Sequence, residues 1–120
     1  RGTPKSFAGD AKALQLALNG IDRGWDVDDS IATVARIFLY LPLEHAEDVG
    51  MQENSVVAFE QLALEASPEL QEFFGMTLDY ARKHQVVIEQ FGRFPHRNSI
   101  LGRASTPAEK EYMSQPGAGF

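Results

Sequence analysis

Four stretches of this chain repeat apolar residues three and four positions apart, and glycine or proline interrupts the chain between them. That is the period of an α-helix, and no stretch alternates apolar and polar residues as a half-buried strand does. The chain is thereby confined to helix-on-helix packing. The first stripe is Phe7, Ala11, Leu14, Leu18 and Ile21, on a helix starting at Pro4 or Ser6 and running to about Asn19. Gly20 and Gly24 break it, and Trp25 in the polar loop that follows is expected to fold back as an anchor. Asp29 or Ser30 suits the N-cap of a second helix, with Ile31, Val34, Ile37, Phe38 and Leu41 facing inward. Pro42 kinks or ends that helix, because proline removes a backbone bond and clashes with the preceding turn.

A third helical stretch lies between Glu44 and Ala66 and turns Met51, Val56, Phe59, Leu62 and Ala63 toward the core; its polar start, LEHAEDVG, reads as a short turn of its own. Ser67-Pro68-Glu69 is a cap with proline at the first helical position. The helix it opens runs to Phe91 with Leu70, Phe73, Thr77, Tyr80, His84, Val87 and Phe91 on one side. Gly75 in its interior costs about 1 kcal/mol relative to alanine. Thr106-Pro107-Ala108-Glu109 is a capping-box signature opening a last helix to about Met113. The tail SQPGAGF reads as loose, with Phe120 able to dock. The expected fold is all-α: one domain over residues 1–120, with four main helices and a short C-terminal one. Short connections favour antiparallel neighbours.

The charge balance narrows the partners. Lys plus Arg total 11 against 17 Asp plus Glu, a net charge of -6. Such a surface repels phosphate backbones and anionic bilayers, so neither nucleic acid nor membrane is an expected partner. The absence of cysteine excludes disulfides and thiolate metal sites. No apolar run approaches a membrane span, no secretory signal is visible, and no motif calls for a cofactor. A cytoplasmic protein is the expectation.

Against this acidic background one segment is basic. Between Glu89 and Glu109 there is no carboxylate, yet Arg93, His96, Arg97, Asn98 and Arg103 crowd into FGRFPHRNSILGRASTPAE. Arginine forks suit carboxylate or phosphate, histidine titrates near neutrality, and asparagine suits a turn. The segment is either an anion pocket for a small anionic metabolite or an acidic peptide, or a structural network paired with carboxylates of neighbouring helices. A second cluster, Glu44, His45, Glu47 and Asp48, has the opposite charge. Glu44 and Asp48, four apart, share a face if helical, and His45 and Asp48 can meet. Glutamate, histidine and aspartate together can move protons or bind a divalent ion, but the spacing matches no metal motif. His84, on an apolar face, reads as a hydrogen-bonded core residue. Phe91 and Phe94 are expected to clamp the basic turn onto the core.

RGTPKSFA at 1–8, FLYLPLEHAED at 38–48, DYARKH at 79–84 and the basic segment together resemble the bacterial domain-of-unknown-function family numbered 924, over essentially the whole chain. The resemblance implies a tetratricopeptide-like helical stack and no particular activity. Family members usually continue upstream through a helical part ending in a DQFPRN-like motif, so relative to the family the chain is N-terminally incomplete. Ala46 stands where the family often has serine, which argues against hydroxyl chemistry there. Three functional readings follow. One is a binding or interaction module. Another is a small enzyme or anionic-metabolite binder in which His96 or His45 transfers protons. The third is a structural ion-pair network in a self-associating protein. The absence of a complete catalytic constellation favours the first.

Overall fold

The computed structural model describes residues 2–28 and 31–120. Five α-helices are present among them, and no strand: α1 (Asp10–Asp22), α2 (Thr33–Glu44), α3 (Val49–Glu65), α4 (Gln71–Phe91) and α5 (Pro107–Ser114). Each of the first four packs chiefly on its neighbours in sequence, and the α3–α4 contact is the most extensive. The connections from α2 to α3 and from α3 to α4 are short, so those pairs run antiparallel. Among the described residues no helix is long and apolar enough to cross a membrane.

The main core lies between α2, α3 and α4 and is built from Tyr40, Phe59, Leu62, Ala66, Phe74 and Ala81. Tyr40 meets Phe59 edge-on, with ring centres 5.9 Å apart. Its hydroxyl donates to Asp26 Oδ2 at 3.0 Å, so the polar end of a buried ring is satisfied. Burial and the Asp26 bond push the Tyr40 phenol well above its usual range. A second cluster, Val87, Ile88 and Phe94 with Phe91 and Tyr112 against it, seats α5 and the basic turn on the end of α4.

Several sequence expectations are corrected. Phe38 is 73% exposed and Val34 is also exposed; α2 is rotated so that Tyr40, Leu43 and Glu44 face inward. On α4, Phe73 and Tyr80 lie outside while Phe74 and Ala81 are fully buried. The sequence offers two overlapping stripes that share His84 and Val87, and a small Ala81 permits the close approach of α3 that the larger aromatic stripe prevents. Of the two outcomes expected at Pro42, a kink or an end, α2 does not end there but runs two residues further to Glu44. Gln52 explains part of this: its Nε2 donates to Glu44 O at 2.6 Å and Ala46 O at 2.9 Å, capping carbonyls at the end of α2 from inside α3. Gly20 stays inside α1 rather than breaking it. A Cβ there would lie 2.7 Å from the Trp25 ring, so glycine is what lets Trp25 fold back onto the helix. The expected caps Asp29 and Ser30 lie outside the described residues.

Other expectations hold. α4 ends at Phe91, where Gly92 adopts φ 72°, the left-handed C-cap that favours glycine. The Thr106–Glu109 capping box forms in both directions. Gly75 meets nothing within 4 Å of where a Cβ would stand. Gly75→Ala is therefore expected to stabilise the fold by about 0.5–1 kcal/mol through helix propensity alone. A rise in the urea midpoint with an unchanged slope would show it; a fall would mean that this face is occupied.

Candidate functional site

The basic segment is bound to the rest of the chain by carboxylates from three places. Arg93 forks onto Glu109 of α5, Nε to Oε1 at 2.8 Å and Nη2 to Oε2 at 3.0 Å, and Nη2 also donates to Ala104 O. Arg103 forks onto Glu47 of the α2–α3 connection at 2.7 and 2.8 Å, while its Nε donates to Asn98 Oδ1 at 3.0 Å. Asn98 is buried and donates to Ser105 Oγ and Glu109 Oε2. Glu47 also accepts from the Phe94 amide at 2.8 Å. Burial works to raise the Glu47 carboxyl, but the Arg103 bond and the Phe94 amide outweigh it and hold it below its usual range.

Arg97 is held differently. Its guanidinium lies over the Phe7 and Phe94 rings, 4.5 and 4.9 Å from their centres. Nη1 pairs with Asp10 of α1 at 3.1 Å and Nη2 donates to His45 O at 3.0 Å. Its Nε, buried with the rest of the side chain, has no acceptor among the described residues.

Beside Arg97 opens a cavity of about 440 Å³ whose wall includes Asp10, His45, His84, His96, Phe94 and Phe120. Histidine occurs three times in the chain, and all three line this one space. His45 follows the last residue of α2, where the Gln52 cap fixes the backbone. His84 comes from α4, its Nδ1 2.8 Å from Tyr80 O, a contact that puts the proton on Nδ1. His96 sits in the 3₁₀ turn Pro95–Arg97. The Phe120 ring stacks on His84 at 3.7 Å and 16°, so the chain's last residue is docked and half-exposed rather than loose. Glu44 is buried behind His84, with Oε1 3.3 Å from Nδ1.

The electrostatics favour neutral groups. Burial lowers the His84 imidazole to about 4, and partial desolvation in the cavity wall with the Arg97 charge lowers His45 and His96. Burial alone raises the Glu44 carboxyl to about 7. At neutral pH the cavity wall therefore offers uncharged imidazoles, hydrogen-bonding groups on both sides of a paired guanidinium.

The two sequence-predicted clusters are thus divided by the structure. Glu44, His45, His96 and Arg97 come together at or behind the cavity. Arg93, Asn98 and Arg103 are joined to carboxylates and to one another. Asp48 N-caps α3, its Oδ1 accepting from Met51 N at 2.9 Å. The helix ends between Glu44 and Asp48, so those two do not share a helical face. Sequence reasoning assigned no site role to Asp10, His84 or Phe120. Asp10 lies 87 positions from its partner, and nothing local to it signals the pairing. For His84 a signal existed: with so few histidines in the chain, a histidine on an apolar face invites the question of what it meets.

Comparison with curated proteins finds no match. A solved structure of a protein of unknown function from Agrobacterium tumefaciens is similar, with a TM-score of 0.76 and 37% identity over 95% of this chain and 57% of that one. The chain thus spans a little over half the length of that relative. A family model described as bacterial protein of unknown function (DUF924) matches residues 1–117, the span that carries both the basic segment and all three histidines, and the chain belongs to that family.

Proposed function

We propose that the chain is a binding module for a small anionic molecule, seated in the cavity among His45, His84, His96 and Arg97. The observation that carries this is the convergence of every histidine of the chain on one cavity beside a buried arginine whose Nε lacks an acceptor among the described residues. The Arg97 charge draws a carboxylate or phosphate to that space, and neutral imidazoles add hydrogen bonds whose polarity adjusts to the ligand. The aromatic walls suit the apolar part of such a molecule, as in most small-molecule sites. Arg93, Asn98 and Arg103 belong on this reading to the frame that holds the turn, and Asp48 to the start of α3. The consecutive packing of α1 to α4 supports a tetratricopeptide-like stack, with the site at the end where the basic turn closes it.

A thermal-shift series with inorganic phosphate, pyrophosphate, citrate and sugar phosphates tests it. At least one is expected to stabilise the wild type, by about 2.7 kcal/mol at a hundredfold excess over Kd. The gain should vanish in His96→Ala and persist in Arg103→Lys, a substitution outside the cavity. The opposite pattern, or no stabilisation by any of them, overturns the reading.

A further inference from the structure

We propose that Glu44, His45 and His84 form a binding site for one divalent transition-metal ion, held by a carboxylate oxygen and two imidazole nitrogens with its open positions facing the cavity. One ligand atom from each of the three lies within 4.8 Å of the others. Two of the groups come from the end of α2 and the third from α4, so the fold, not a local motif, assembles them.

The surroundings of His84 are those of a metal ligand. Its Nδ1–H is directed at Tyr80 O at 2.8 Å, which leaves the Nε2 lone pair free. Metal-binding histidines ordinarily donate their other ring N–H to a carbonyl or carboxylate, fixing tautomer and orientation, and here the Tyr80 carbonyl takes that role. The ring is also held by stacking on Phe120 and by the edge contact with Phe94 at 5.5 Å. Glu44 supplies the second, independent observation. Its side chain is 5% exposed, and among the described residues no lysine or arginine pairs with it; its ion-pair contact is with His84 alone. Without a cation such a buried carboxyl is driven toward its protonated form, and a divalent ion would displace that proton and balance the charge. Arg97, the nearest permanent cation to His45, is itself balanced by Asp10.

The chemistry of the donors selects the ion. Two imidazoles and one carboxylate, with no thiolate in the chain, suit zinc or ferrous iron with coordination positions left for water or substrate. A tetrahedral ion with bonds of about 2.0–2.1 Å keeps its ligand atoms about 3.3 Å apart. The three groups must therefore close by on the order of 1 Å, which rotation of the exposed His45 ring and of the Glu44 carboxylate can supply while His84 stays fixed.

The inference does not depend on anion binding, and its test is run without an anion probe. The full chain, stripped with EDTA, is titrated with Zn²⁺ by calorimetry and with Co²⁺ by visible absorption. The expected result is one ion per chain and the intense ligand-field bands of four-coordinate cobalt. Glu44→Gln and His45→Ala should each weaken zinc at least about tenfold, while Glu111→Gln, an exposed control, leaves it unchanged. His45 is exposed, so its substitution remains readable if Glu44→Gln fails to fold. No stoichiometric binding by the wild type overturns the site, as does undiminished affinity in His45→Ala. Phosphate titrated separately into the metal-free protein reports on the anion reading, so the failure of one is distinguishable from the failure of the other.

Discussion

Replacing Glu109 by alanine is expected to cost about 3 kcal/mol, a large part of what holds a domain of this size together. The carboxylate is 2% exposed and accepts four hydrogen bonds: two from Arg93, one from Asn98 and one from the Thr106 amide. Its removal leaves a buried asparagine amide, a helix-cap amide and a partly buried guanidinium without their acceptor. Breaking a buried pair from one side costs about 3–5 kcal/mol, and the partial exposure of Arg93 places this case at the low end. Glu109→Gln keeps the shape and loses the charge, and should cost about half as much.

The pH dependence follows from the same contacts. The Arg93 bond outweighs burial, and with the Thr106 amide and Asn98 it holds the Glu109 carboxyl at about 2, against 4.5 when unperturbed. A carboxyl depressed in the folded state contributes its full stability above the unfolded value and loses it as the pH falls from about 4.5 toward 2. The gap between wild type and Glu109→Gln should therefore be widest near neutrality and close through that window. Urea denaturation followed by circular dichroism measures it; a gap that does not change with pH contradicts the assignment.

Phe74→Ala should be at least as damaging, at about 3–5 kcal/mol, whereas Phe73→Ala should cost less than about 1 kcal/mol. Phe74 is 0% exposed at the junction of α2, α3 and α4, and its neighbour in sequence is 40% exposed with its edge against the Phe74 ring. The pair discriminates between two registers of the same helix. Equal costs at both positions would mean that α4 is rotated from the arrangement described above.

That pair also shows what the sequence made legible. Helix number, the end of α4 at Phe91 and the α5 capping box follow from local chemistry: periodicity, proline placement and side-chain caps within a few residues. The rotation of α2 and α4 does not. Both stripes on α4 have helical spacing, and the choice between them depends on α3 fitting against Ala81, a tertiary fact. Pro42 was an ambiguous stop because the Gln52 carboxamide that caps the end of α2 belongs to the next helix. The site was half legible. The basic segment stood out by charge, and its pairing with the acidic 44–48 stretch is realised through Arg103 and Glu47. What local reading could not supply was which of the carboxylate-paired arginines also lines a cavity. It is set by Glu47, Asp10 and His84, each brought in from elsewhere in the chain.

The central claim is that the ligand-facing cation is Arg97 and not its neighbours. The side-chain Nε–Hε signals of arginine in a ¹⁵N-labelled sample titrated with pyrophosphate test it most directly. The account predicts that the Arg97 signal and the His96 ring move together and saturably, while Arg93 and Arg103, already donating to Glu109 and Asn98, stay in place. Movement of Arg93 or Arg103 with Arg97 unchanged would contradict it.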